Sequence, residues 1–356
     1  MDRSAPHSAQ GGSKIVLLAG GTGGAKLARG MLDVVGPDEL VVIANTADDI
    51  DIYGVRVSPD PDLVSFWLAD LIDERGWGLS GDTFEVMDAL RELGVDVWFN
   101  LGDRDLAWCM ERQRMLDEGL TATEALGELN RRVGLTAQVL PMCDGPLRTI
   151  VNGVGLQEFL ILNGGRGPVR DVNFTSPEDS GDDISPTPQV LAALRDARAV
   201  IIGPSNPVIS IWPILSVIGE VLLAGPAPVV AVSPIVKGQV LKGPTDAFMD
   251  ALRLPASASG VVAYYESLYA GLLDGVVADE PVPVGPPARS AGEKRFAFKV
   301  AVSEDPAFTS AGPEVAAPRE VPSGLATLQI DTAMPDQASR VRVAEQTLRF
   351  AQSLAG

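Results

Sequence analysis

Along this chain, short unbroken apolar runs alternate with stretches in which apolar residues recur every three or four positions. The runs are KIVLLAG (Lys14–Gly20), ELVVIAN (Glu39–Asn45), VDVWFNL (Val95–Leu101), RAVIIG (Arg198–Gly203), PVVAVSP (Pro228–Pro234) and ATLQID (Ala326–Asp331). Continuous apolar segments of this length predict strands covered on both faces, as in a parallel sheet. Helical spacing follows the first run in AKLARGMLDVV and recurs in DTFEVMDALRELG (Asp82–Gly94) and PQVLAALRDA (Pro188–Ala197). Strand and helix in alternation predict a doubly wound α/β fold with a mostly parallel sheet.

Other segments modify that scheme. Residues 63–134 are rich in helical pattern, with Thr121 and Glu124 spaced as a capping box, and predict a helical excursion from the sheet. RTIVN and QEFLILN (Arg148–Asn163), separated by Gly-Val-Gly, predict a hairpin. Residues 280–323 are dense in Pro, Ala and Gly and predict a long insertion, and Ala338–Leu354 predicts a terminal helix. The polar opening MDRSAPHSAQGGS predicts a disordered arm over 1–13, leaving 14–355 as a single domain.

Composition narrows the chemistry. The formal net charge of −19 argues against nucleic acid and anionic membranes as partners. No apolar run looks long enough to span a bilayer, and no signal peptide is apparent. The sole histidine, His7, lies in the arm, which excludes histidine-based catalysis and histidine-ligated metals from the folded part. Cys109 and Cys143 are too few for a structural zinc site and read as free thiols in a reducing cytoplasm. Carboxylates, hydroxyls, Lys, Arg, backbone amides and a hard metal remain.

AGGTGGAK (Ala19–Lys26) follows the first run, where a doubly wound sheet receives ligands. Gly21, Thr22, Gly23 and Gly24 would let backbone N–H groups approach an anion at a helix N-terminus, with Lys26 beside them. The spacing matches neither the dinucleotide fingerprint nor the P-loop, so NAD and Walker-type ATP binding lose support; a tight packing turn is the structural alternative. NTADDIDIYGVRVSPDPD (Asn45–Asp62) follows the second run and concentrates Asp48, Asp49, Asp51, Asp60 and Asp62. Carboxylates without histidine or cysteine suit Mg²⁺, and Asp60 and Asp62 could face one ligand; a solvated acidic loop is the alternative.

Further polar groups stand at other predicted strand ends. They are Asp103 and Arg104 in NLGDRDLAW, Asp144 and Arg148 in PMCDGPLRT, Ser205 and Asn206 in GPSNPVISIWPI, and Lys237 and Lys242 in VSPIVKGQVLKGP. Each is a loop by itself, and the GDRD acids could equally cap a helix. Together they put hydroxyls, amides, acids and cations at successive strand ends.

In order and spacing these motifs, with GWGLSGDTF, resemble the 2-phospholactate transferases of coenzyme F420 biosynthesis, from Lys14 to about Asp279 with an echo in IDTAM (Ile330–Met334). The resemblance implies a Rossmann-like core, often dimeric, that moves a phosphorylated three-carbon acid from a GDP-activated donor to the deazaflavin Fo. GMP is released and Mg²⁺ is required. It makes Asp48, Asp49, Asp60 and Asp62 the metal and catalytic acids; the chemistry of the acceptor hydroxyl asks for one carboxylate base among them, Asp49 or Asp62. The glycine loop and Ser205–Asn206 become nucleotide or phosphate contacts, and Arg104, Arg148, Lys237 and Lys242 are cations available to phosphate. The chain departs from the family where Tyr53 stands in place of one histidine, where Trp108 and Cys109 occupy the place of another, and where Pro61 replaces leucine. Phosphoenolpyruvate, 2-phospholactate and a phosphoglycerate all remain compatible as the transferred acid. A sugar-nucleotide-binding regulatory protein with a similar glycine-rich start is the competing reading.

Overall fold

In the computed structural model, which describes residues 12–165, 167–176, 184–240, 243–283, 300–301 and 324–355, seven strands form one parallel sheet. Numbered along the chain, they are β1 (Lys14–Ala19), β2 (Leu40–Ala44), β3 (Gln138–Pro141), β4 (Ala197–Ile202), β5 (Val229–Val232), β6 (Gly275–Ala278) and β7 (Ala326–Gln329). Their spatial order is β7-β6-β5-β4-β1-β2-β3, and every neighbouring pair is parallel. This is the doubly wound Rossmann-like arrangement, with the chain reversing direction across the sheet between β1 and β4.

The unbroken apolar runs follow from burial on both faces. Val16 and Leu18 pack into one core with the helix Trp212–Ala224, while Ile15, Leu17 and Ala19 pack into the opposite one. The second core includes α1 (Gly21–Val35) and the terminal helix Gln337–Leu354, which lie against one another. The central strands have almost no wet position where a polar residue would be favoured, whereas the edge strand β7 is half-buried or exposed along its length.

The helical excursion is present as α2 (Pro59–Leu68), Glu85–Glu92, α3 (Asp103–Asp117) and Ala122–Arg132. The Thr121–Glu124 capping box opens the last of these. Three expectations need correction. Val95–Leu101 is not a strand; it packs Val97, Phe99 and Leu101 against a satellite core away from the sheet, where no ladder partner is available. The Arg148–Asn163 hairpin is real only in its first half: Arg148–Val151 pairs with Val154–Gly155 around Asn152 and Gly153, both at positive φ, and QEFLILN lies largely in the helix Leu156–Ile161. Finally, Pro207–Ala224 is apolar enough over 18 residues, by length and composition, to cross a membrane, yet 67% of it is buried within the fold. The arm through Gly11 and most of the 280–323 insertion lie outside the described residues.

Candidate active site

At the β1/β4 reversal, the carboxyl ends of the strands open a crevice of the kind that receives ligands in open α/β sheets. A cavity of about 1360 Å³ occupies this end of the sheet, larger than the roughly 300–1,000 Å³ typical of a single small-molecule pocket. One wall is the glycine loop with Thr22 and Lys26; the next carries Asp48 and Asp60, and a third Ser205 and Asn206. Ser233 after β5 and Thr332–Pro335 after β7 close the far side.

The loops after β1 and β4 interlock. Gly21 opens α1 at φ +66, in the left-handed region that favours glycine. A Cβ on Gly23 would stand 2.0 Å from the Pro204 carbonyl oxygen, so this contact demands glycine. Gly20 donates its N–H to Ser205 Oγ at 3.1 Å, while the N–H of Gly21 donates to Asp60. The first amides of a helix have no partner within it. One is thus used to hold a carboxylate, and Thr22 and Gly23 follow it along the cavity wall.

A β-hairpin inside the acidic stretch brings its ends together. Ile50–Ile52 pairs with Val55–Val57 around Tyr53 and Gly54, at φ +53 and +77, the signature of a tight type I′ turn. That fold-back sets Asp48 beside Asp60. Asn45 Nδ2 bridges them, donating to Asp48 Oδ1 at 2.6 Å and to Asp60 Oδ2 at 3.0 Å. Burial, then the charge of Asp60, raises Asp48 well above the carboxylate range; burial raises Asp60 as well, opposed by Asn45 and the Gly21 amide. Two desolvated, mutually repelling acids with only oxygen donors fit a hard divalent cation.

Asp62 goes elsewhere. Asp60 and Asp62 sit in the first turn of α2, and residues two apart on a helix point about 200° from one another. Asp62 instead meets α3, accepting from Trp108 Nε1 at 2.8 Å and pairing with the buried Arg112. Asp49 accepts from Ser58 Oγ at 2.9 Å, and burial pushes its carboxyl up to about 7. Neither lines the cavity, so a four-aspartate metal site is not assembled. Among the described residues no group of three or more His, Cys, Asp and Glu is arranged around a metal position.

Several other motif residues have structural partners. Asp103 accepts from the N–H groups of Glu85 and Val86 at 3.0 Å, and Asp82 accepts from those of Arg104 and Asp105 at 2.8 and 3.1 Å. The GDT and GDRD motifs therefore cap one another's helices, and Arg104 is exposed away from the cavity. Asp144 accepts from the N–H and hydroxyl of Thr123, both at 2.8 Å, and Arg148 pairs with Asp51 at 3.0 Å. Lys237 lines a separate cavity of about 400 Å³ with Asp279 and Asp331, and Lys242 lies outside the described residues. Asn206 uses Oδ1 to cap the π-turn Pro207–Ile211, while its buried Nδ2 has no hydrogen-bond partner among the described residues. Asn45, the bridge within the acid pair, was not among the expected site residues, although it stands at the end of the second apolar run.

The chain from residue 15 to 315 matches the family model of the 2-phospho-L-lactate transferase CofD. A 2-phospho-L-lactate transferase of Methanopyrus kandleri is 33% identical over 96% of this chain and 99% of its own length. A phosphoenolpyruvate transferase of Kitasatospora aureofaciens is 38% identical over 75% of this chain and 85% of its own. Among solved structures, protein BH3568 of Bacillus halodurans is similar with a TM-score of 0.56 at 17% identity, covering 95% of this chain and 99% of that one, a likeness of fold.

Proposed function

The chain belongs to the 2-phospho-L-lactate transferase family of coenzyme F420 biosynthesis, and on that premise we propose that it transfers a phosphorylated three-carbon acid to the deazaflavin Fo. The acid is phosphoenolpyruvate or 2-phospholactate, the names carried by the relatives; on this proposal it arrives GDP-activated and leaves GMP behind. In the reaction a hydroxyl oxygen of Fo bonds to the phosphorus bearing the acid. The bond from that phosphorus to the GMP oxygen breaks, and the hydroxyl proton is lost.

The observation that carries this reading is the meeting of the glycine loop, the Asp48–Asp60 pair and Asn206 around one cavity with room for two substrates. The α1 N-terminus and Lys26 receive the diphosphate, where amides and an ammonium offset its charge. Asn206 Nδ2 offers a hydrogen bond to a phosphate or sugar oxygen. Asp48 and Asp60 would hold Mg²⁺, which when bound neutralises diphosphate charge and eases departure of GMP. The same carboxylates orient the acceptor hydroxyl and take up the proton it sheds. Most of the rate gain then comes from alignment and charge compensation. On this reading Asp49 and Asp62 support the site from behind.

Purified protein with Fo, Mg²⁺ and each GDP-linked acid in turn, followed by mass spectrometry with and without EDTA, tests the proposal. Metal-dependent phosphorylated deazaflavin plus GMP is the expected product, with the best donor naming the acid. Tight nucleotide binding without product from any donor would overturn it in favour of a binding protein.

A further inference from the structure

The family match ends at residue 315, yet the far wall of the cavity is built from the segment after β7, Thr332–Pro335. Thr332 is 3% exposed, and its Oγ1 is buried with no hydrogen-bond partner among the described residues. Buried hydroxyls in folded proteins are nearly always paired, because leaving one desolvated and unpaired is unfavourable. An orphan hydroxyl on the wall of a cavity is accounted for if the partner is a ligand.

The surrounding fold indicates which ligand. The segment leads into the terminal helix Gln337–Leu354, which packs on α1, the helix whose N-terminus faces the cavity. The packing is close: a Cβ on Gly30 of α1 would stand 2.4 Å from the Arg340 carbonyl oxygen. Lys26 and Arg340 also both approach the Trp67 ring, at 5.9 and 5.2 Å. The segment carrying Thr332 is thereby fixed through the terminal helix to α1, whose N-terminus faces the other end of the same cavity. In the sheet, β7 stands four strands from β1, on the opposite side from β2 and Asp48. At about 4.8 Å per strand that is a span of roughly 19 Å, long enough for an extended nucleotide.

We propose that Thr332 is a nucleotide-binding residue, its hydroxyl hydrogen-bonding an oxygen of the GDP-linked donor in the β4–β7 half of the cavity, opposite the Asp48–Asp60 pair. The assignment rests on the transferase reading for the identity of the donor, and on the orphaned hydroxyl for the contact itself.

Thr332→Val removes the hydroxyl and keeps the shape. A hydroxyl retained for structure would leave the variant less stable; one retained for a ligand leaves melting unchanged or raised and weakens binding. Calorimetric titration of wild type, T332V and T332S with GDP and, separately, UDP, each with Mg²⁺, decides the matter alongside thermal melts. The expected result is GDP affinity lowered about tenfold in T332V and restored in T332S, with no loss of melting temperature. In the transfer assay the donor KM rises while the Fo KM is unchanged. Unaltered nucleotide affinity in T332V, or a change in the Fo KM alone, overturns the proposal while leaving the transferase reading standing. Binding of UDP but not GDP overturns the guanosine donor, and the wild-type-to-T332V ratio with UDP then decides Thr332's role. Absence of binding to either nucleotide overturns both.

Discussion

Replacing Asp62 with leucine separates the structural account of this residue from a catalytic one. Its carboxylate is 9% exposed and its partner Arg112 is 3% exposed, so the guanidinium would lose its paired charge inside the protein. Among the described residues Arg112 would keep the Arg56 carbonyl at 3.2 Å, a weak contact to Cys109 Sγ, and the more distant charge of Asp49. Breaking one side of a buried pair costs about 3–5 kcal/mol, and Asp49 argues for the lower end. Against a total stability of about 5–15 kcal/mol, this is a large fraction. Urea unfolding of D62L, R112M and the double variant measures it. The double variant should recover most of the loss, because it leaves no unpaired charge, and D62N should turn over within about threefold of wild type below its melting temperature. A D62L protein as stable as wild type, with turnover abolished, would refute the assignment and return Asp62 to the active site.

Asp60→Asn should behave oppositely. It keeps an acceptor for the Gly21 amide, gives up the one that Asn45 Nδ2 uses, and relieves repulsion with Asp48, so urea unfolding should change by no more than about 1–2 kcal/mol while transfer falls by about 10²-fold or more. Gly23→Ala drives a methyl to 2.0 Å from the Pro204 carbonyl oxygen, and calorimetry should find nucleotide binding lost through displacement of the interlocked loops. For Asp105, burial with the charges of Asp62 and Asp82 raises the carboxyl from 3.8 to about 7. The folded state therefore holds a proton the unfolded chain has released, and this group's contribution to stability falls as pH rises from 4 to 7, by up to about 4 kcal/mol. Unfolding curves of D105N across that range should be flatter than those of wild type; identical slopes would contradict the assignment.

The sheet was readable because its strands are buried on both faces: an unbroken run such as KIVLLAG marks a parallel strand. β6 was not anticipated, since GVVA is only four residues long and follows an apolar helix that hides its start. Val95–Leu101 misled for the complementary reason, that apolar content records burial and not whether a ladder partner is within reach. In the site, glycine spacing and the acidic cluster pointed to loops that line the cavity. What linear sequence did not carry was direction. Asp60 and Asp62 look equivalent in PDPD, and only the start of α2 at Pro59 sends one to the cavity and the other to Arg112. Likewise Asp103 and Asp144 have the appearance of ligand-binding acids, but both accept from backbone amides at helix starts. Thr332 lies in the IDTAM echo, but the segment Thr332–Pro335 is far along the chain from the other cavity loops, so sequence alone did not bring its hydroxyl to the site.

A crystal structure of the protein with GDP, Mg²⁺ and Fo together tests the central claim most directly. The account predicts the diphosphate at the Thr22–Gly24 amides and the metal between Asp48 and Asp60. It also predicts the Fo hydroxyl beside those carboxylates and a nucleotide oxygen on Thr332. A diphosphate in the Lys237–Asp331 cavity, or a metal held by Asp49 and Asp62, would contradict it.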